Sequence, residues 1–281
     1  MRVDATIKTY RYLRIGMVGV VFLLAVSVGF ERLEVEPACW QTSVSAYYYT
    51  PVRAIFVGGL LAIGLCLIVI KGRTWWEDGC LNVAGMLAPV VAVVPTSDVG
   101  RCWSQEPIRR PVEVDGDLAA WVVANIDNNI RALLVAGIAG LVVAAVIASV
   151  ATQDVLAVAQ VGQRATRRSL LAAMVFLLVS AAAYAWWDDF GTRAHGIAAA
   201  VMFVFLAMAV GGKAWNLRLD PEKTIYVRLY AAIAALMIGS GVVMFPLGGW
   251  DHRILVLEAT EIALFAAFWL AQTKEHWYEA A

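Results

Sequence analysis

The chain predicts an all-α fold: a polytopic transmembrane helical bundle of about eight spans. Three observations carry this. Hydrophobic residues make up 61% of the 281 and charged residues only 16%, with a mean hydropathy of +0.72; a soluble domain sits near half apolar and a quarter charged. The apolar residues gather in eight runs, about 12–30, 54–70, 80–95, 128–151, 169–187, 195–212, 226–246 and 254–272. Each run is near the roughly 20 residues a helix needs to cross about 30 Å of hydrocarbon, and none alternates. Helices satisfy their own backbone in lipid, so a bundle follows. No soluble-looking block exceeds about 40 residues, so residues 1–281 read as one integral membrane domain.

Taken in order, the first run has basic flanks and no clean small-residue cleavage site, so it reads as an anchored span rather than a cleaved signal. The second begins just after Arg53. The third is short and carries Asn82 and Pro89; starting it at Trp75 would take Glu77 and Asp78 into the helix. Before run four, Asp117 is the expected N-cap of a helix that starts outside the bilayer. Runs four and five are rich in Ala and Val, as packed membrane helices are. His195 opens run six, and Glu258 and Glu261 lie in run eight, three apart and hence expected on one face.

Lys and Arg set the orientation. With the N-terminus inside, the inner segments hold fourteen of the 22 cationic residues and the outer side eight. Both termini are therefore expected in the cytoplasm. Segments 31–53 and 96–127 become long extracytoplasmic loops. Cys39 and Cys102 fall one in each, facing an oxidising compartment, so a disulfide between them is expected, with two free outer thiols as the alternative. Cys66 and Cys80 read as small apolar residues.

Segment Ser43 to Arg53 is the chain's densest polar stretch at a span mouth. Its three consecutive tyrosines, Tyr47 to Tyr49, read either as an interfacial aromatic belt or as phenols clustered around an arginine. The assigned topology brings Ser43, Ser45, Tyr47, Tyr48, Arg53, His195, Glu258 and Glu261 to the outer ends of spans, and polar groups inside a membrane mark function by default. These eight are the candidate ligand-binding residues. Arg53 is expected within reach of Glu258, because a guanidinium stays charged and gives a buried carboxylate a bidentate partner.

Zero net charge gives no case for nucleic acid. No phosphate-loop, zinc-protease or nucleophile-elbow motif occurs. With three histidines, at 195, 252 and 276, and no CxxC, no metal or other cofactor and no catalytic residue is assigned.

The pattern Ser43-x-Ser45-x-Tyr47-Tyr48-x-Thr50-x-x-Arg53, followed by Phe56-Val57-Gly58, resembles one found in a family of bacterial multi-span inner-membrane proteins to which no activity is assigned. Lys71-Gly72, Asn82-x-Ala84-Gly85, Pro95-Thr96, His195 and Glu258 extend the likeness. It implies a helical bundle in the bacterial inner membrane. Two departures stand out. The family has an aspartate after the arginine, where this chain has Ala54, and about 100 residues intervene between Pro95-Thr96 and His195, so spans four and five look like an insertion. A more distant similarity is to the membrane hydrolases that include alkaline ceramidases. Those use a serine, an aspartate and three zinc-bound histidines, and only His195 and a serine have counterparts here.

The functional expectation is a multi-pass cell-membrane protein with an outward-opening polar pocket. It binds a lipid or small hydrophobic ligand, or serves as a subunit of a membrane complex, with membrane lipids as its partners. The alternatives are an intramembrane lipid-modifying hydrolase and a transporter or proton-conducting protein.

Overall fold

In the computed structural model the described residues are 2–35, 39–72, 74–98, 100, 102, 113–114, 117–118, 120–151, 159–244, 246 and 248–277. Among them the protein is helical, with eight helices: α1 Arg2–Glu34, α2 Arg53–Val69, α3 Trp75–Val93, α4 Ala120–Ala151, α5 Ala159–Trp186, α6 Phe190–Leu217, α7 Thr224–Met244 and α8 Arg253–Glu275. A 3-10 segment, Ser45–Tyr49, precedes α2. A two-residue antiparallel pair, Glu113–Val114 with Asp117–Leu118, precedes α4.

Five stretches are long and apolar enough to cross a membrane: Lys8–Glu34, Ala120–Ile147, Phe190–Leu217, Pro221–Met244 and Arg253–Glu275. Arg53–Val69 and Leu170–Trp186 are apolar but shorter. Helix α3 belongs to neither group. It starts at Trp75 rather than in the apolar run, and its first turn shows why. Thr74 caps it, its hydroxyl accepting from Glu77 N at 3.2 Å. Glu77 and Asp78 lie where the amino-terminal helix dipole favours negative charge. Asp78 also accepts from Gly72 N at 3.3 Å and Asn82 Nδ2 at 3.2 Å, and pairs with Lys71 at 3.5 Å. Asp117, in contrast, is not a helix cap: it sits in the short strand pair, and α4 begins at Ala120.

Six helices form a closed ring, packed in the order α1, α2, α3, α6, α7, α8 and back to α1. The α4–α5 hairpin lies outside that ring, its two helices packed on each other and on α3. Helices α2 and α3 cross closely because Gly64 faces Gly85: a Cβ on either would lie 2.7 Å from the other's carbonyl oxygen. The gap left by Gly64 also admits Pro89, which sits inside α3 without ending it. The main core is drawn from all six ring helices, with Met17, Leu67, Ala84, Leu206, Tyr230 and Trp269 among its buried members. A second core at the Ser45 end joins Val44, Tyr48, Tyr49 and Phe56 to Val94, Val122, Ile126 and Ala194.

Candidate functional site

Segment 41–50 is buried throughout and is tied to two distant parts of the chain. Leu255 N in α8 donates to Thr42 O at 2.9 Å, and a ring nitrogen of His252 lies 3.2 Å from Gln41 O. The Gln41 amide bonds the Cys102 backbone in both directions, accepting from its N at 3.2 Å and donating to its carbonyl. Cys39 and Cys102 form a disulfide, with Cα atoms 6.2 Å apart, so the expected pairing is present.

Within the segment, Ser43 acts locally. Its hydroxyl accepts from Ala46 N at 2.9 Å and starts the 3-10 turn. Thr50 closes that turn by donating to Tyr47 O at 2.8 Å. Tyr47, Tyr48 and Tyr49 are 1%, 3% and 4% exposed, so the aromatic-belt reading is corrected: these rings face protein. Tyr48 and Tyr49 meet edge to face at 5.3 Å, and Tyr49 donates to Thr96 O at 2.6 Å. Burial pushes both the Tyr47 and Tyr49 phenols up from their ordinary pKa, because a phenolate is poorly solvated there.

The centre of the site is Ser45 with Glu258. Ser45 N donates to Glu258 Oε2 at 3.0 Å and Ser45 Oγ donates to Oε1 at 2.8 Å. The expected Arg53–Glu258 pair does not form. Arg53 is exposed and turns onto Tyr48, donating to its phenol at 2.7 Å with the guanidinium 4.4 Å from the ring centroid. A neighbouring aromatic face and hydroxyl satisfy the guanidinium locally, while the carboxylate takes its donors from the 3-10 turn.

Glu258 and Ser45 line one end of a cavity inside the helix ring. Its remaining walls are apolar: Val20, Val21 and Leu24 of α1, Val44, Phe56 to Leu67 on α2, Val91 of α3, Ala199 to Leu206 on α6, and Ile262 and Phe265 of α8. The cavity has a volume of about 70 Å³.

Glu261 and His195 are brought elsewhere. Glu261 is buried and accepts from Ser240 of α7 at 2.7 Å. The two glutamates, three residues apart, therefore serve different neighbours rather than one shared face. His195 is buried in the second turn of α6, its Nδ1 bonded to Val94 O at 2.7 Å, which ties α6 to the end of α3.

Sequence reasoning missed a polar cluster at the other end of the ring. Lys213 of α6 and Glu275 of α8 pair at 3.5 Å with side chains 1% and 0% exposed. Tyr230 of α7 donates to the same carboxylate at 2.8 Å, and Lys223 lies 3.3 Å from it. Lys213 Nζ also lies 3.1 Å from His276 Nε2. These residues border runs six, seven and eight on one side, which was the available signal, but basic residues at span ends are ordinarily read as flanks.

Among the described residues no group of three or more His, Cys, Asp or Glu is placed to hold a metal ion. No protein-family model, no curated protein and no solved structure matches the chain.

Proposed function

We propose that this chain is a multi-pass membrane protein that takes a lipid or small hydrophobic ligand into the cavity within its helix ring, polar end at Glu258 and Ser45, alone or as a subunit of a membrane complex. Both termini are cytoplasmic in this reading, all eight helices reside in the bilayer, and the Ser45 end faces outward. The lysine and arginine bias supports that orientation. The likeness of segment 43–58 to bacterial inner-membrane proteins supports a bacterial inner-membrane location.

The observation that carries the proposal is an apolar cavity whose lining holds just two polar residues, both at one end. Ligand sites have this composition, a mostly apolar wall with few placed polar groups.

A hydrolase reading has one point in its favour, the hydrogen bond from Ser45 Oγ to a carboxylate. Acyl transfer also needs donors aimed at a developing oxyanion. The nearby amides are committed: Ser45 N to Glu258, Ala46 N to Ser43 Oγ and Tyr47 N to Val44 O. A proton relay through Glu258, Glu261 and His195 is disfavoured because each is anchored to a different partner.

Photolabelling tests the binding reading. The protein in nanodiscs is irradiated with a long-chain alcohol bearing a diazirine in its tail, and the adducts are mapped by peptide mass spectrometry. Adducts on Met202, Phe203 or Val20 are expected. Labelling confined to the exposed faces of α4 and α5, such as Val142 and Leu178, would reject the cavity as a binding site.

A further inference from the structure

At the α7–α8 contact there are too few hydrogens for an ionised glutamate. Ser240 Oγ of α7 lies 2.7 Å from Glu261 Oε1 and 2.9 Å from Met237 O. Both of those oxygens are acceptors when the glutamate is an anion, yet a hydroxyl carries a single hydrogen. The other carboxyl oxygen, Glu261 Oε2, is buried and has no hydrogen-bond partner. An anion there would share one hydrogen with a backbone carbonyl on one oxygen and have none on the other. A proton on Oε1 resolves the conflict. Glu261 Oε1–H then donates to Ser240 Oγ, and Ser240 Oγ–H donates to Met237 O. A 2.7 Å separation suits an O–H···O bond with the hydrogen on either side. Oε2 becomes the carbonyl oxygen of a neutral acid.

A balancing charge is missing as well. Glu261 is 3% exposed, and among the described residues no ion pair reaches it. Helix α8 packs on α1, α6 and α7. Stretches 15–30 of α1, 196–212 of α6 and 231–244 of α7 contain no ionisable residue. Arg14 and Glu31 bound the first stretch. His195, before the second, is bonded to Val94 O, while Lys213 and Tyr230 are engaged by Glu275. On α8 itself Glu258 is three residues away and held by Ser45. A buried carboxyl group without a cation takes up a proton rather than stay charged.

We infer that Glu261 is a proton-binding site at the α7–α8 contact: a neutral carboxylic acid that clasps Ser240 and releases its proton to water only when the two helices part. Glu261 is not among the residues that line the cavity, so this site stands whether or not the cavity takes a ligand.

Infrared difference spectra of the wild-type protein and Glu261→Gln at neutral pH test the assignment. They are taken in dodecyl maltoside, which has no ester carbonyl to mask an acid band. The wild type is expected to show a protonated-carboxyl C=O band that Glu261→Gln lacks and that moves to lower frequency in deuterium oxide. Carboxylate stretches in place of that band overturn the inference. Should Glu261→Gln not fold, Ser240→Ala decides. It removes the acceptor of the acid hydrogen, so the same band is expected to shift, and a difference spectrum without a shifted acid band overturns the inference. Thermal unfolding reads the link to the helix contact. As pH rises above the ordinary carboxylate range, the wild-type unfolding temperature is expected to fall relative to that of Glu261→Gln. The folded wild type holds a proton that the unfolded chain gives up to water, and the variant has none to give. Parallel pH profiles overturn the proton site, because they mean that folding binds no proton there.

Discussion

Ser45 binds both carboxylate oxygens of Glu258, a residue 213 positions away, through its amide and its hydroxyl at 3.0 and 2.8 Å. This contact fastens the 3-10 turn onto α8 and fixes the polar end of the cavity. Hydrogen bonds to charged groups contribute about 1.5–3 kcal/mol, more than neutral ones. Ser45→Ala removes the hydroxyl bond and keeps the amide bond, so a loss of that order is expected in unfolding of the detergent-solubilised protein. Ser43→Ala removes a neutral bond to Ala46 N and should cost about 1 kcal/mol. Equal effects of the two substitutions would argue that the Ser45–Glu258 contact is no stronger than a neutral hydrogen bond.

The Cys39–Cys102 bridge closes a loop with a sequence separation of 63. In the chain-entropy picture this contributes roughly 4 kcal/mol. Reduction, or Cys39→Ser, is expected to lower the unfolding temperature by a matching amount. The bridge also reports topology. In intact cells an impermeant maleimide should label Cys39 and Cys102 only after an impermeant reductant is added. Labelling without reductant would show free thiols, and no labelling with it would place that end of the bundle inside.

Much of the fold was legible because long apolar runs without alternation favour helices, and all eight runs coincide with helices. The start of α3 was not, since Glu77 and Asp78 count against a span by composition while Thr74 and the helix dipole favour them locally. Ser45 and Glu258 were both identifiable as polar residues at one end of the bundle. Their partnership was not, because nothing in the spacing of residues 213 apart tells whether a carboxylate meets a serine or an arginine. Arg53 was the chemically stronger candidate, and it was already engaged by a tyrosine five residues before it. The Lys213–Glu275 pair was hidden by the reading that treats cations at the ends of apolar runs as flanks.

Glycines at the α2–α3 crossing give a third prediction. A methyl on Gly64 would lie 2.7 Å from Gly85 O and 3.0 Å from Pro89 Cδ; one on Gly85 would lie 2.7 Å from Gly64 O and 2.8 Å from Ile68 Cγ1. Backbone oxygens cannot move aside as a side-chain tip can, so the helices must separate. Overpacking of this kind typically costs about 1–3 kcal/mol. Gly64→Ala and Gly85→Ala are therefore expected to lower stability, while Gly58→Ala on the same helix as Gly64, with nothing within 4 Å of the added methyl, should be neutral or slightly stabilising. Thermal unfolding of the three variants side by side checks this, and a stable Gly64→Ala would contradict the close crossing.

At the opposite end of the ring, Glu275 is the shared partner of Lys213, Lys223 and Tyr230, so the two members of its buried pair should not respond alike to substitution. Glu275→Gln removes a negative charge that both lysines share, and removing one partner of a buried pair costs about 3–5 kcal/mol. Lys213→Met leaves Glu275 its contacts with Lys223 and Tyr230, and a methionine fills similar volume, so a smaller loss is expected. Because the residues act as a unit, the double variant Lys213→Met/Glu275→Gln should be less destabilised than the sum of the single changes. Unfolding measurements on the two singles and the double give the coupling directly. Strict additivity would mean that the pair contributes nothing as a pair, and a larger loss from Lys213→Met than from Glu275→Gln would move the centre of the cluster from the carboxylate to the lysine.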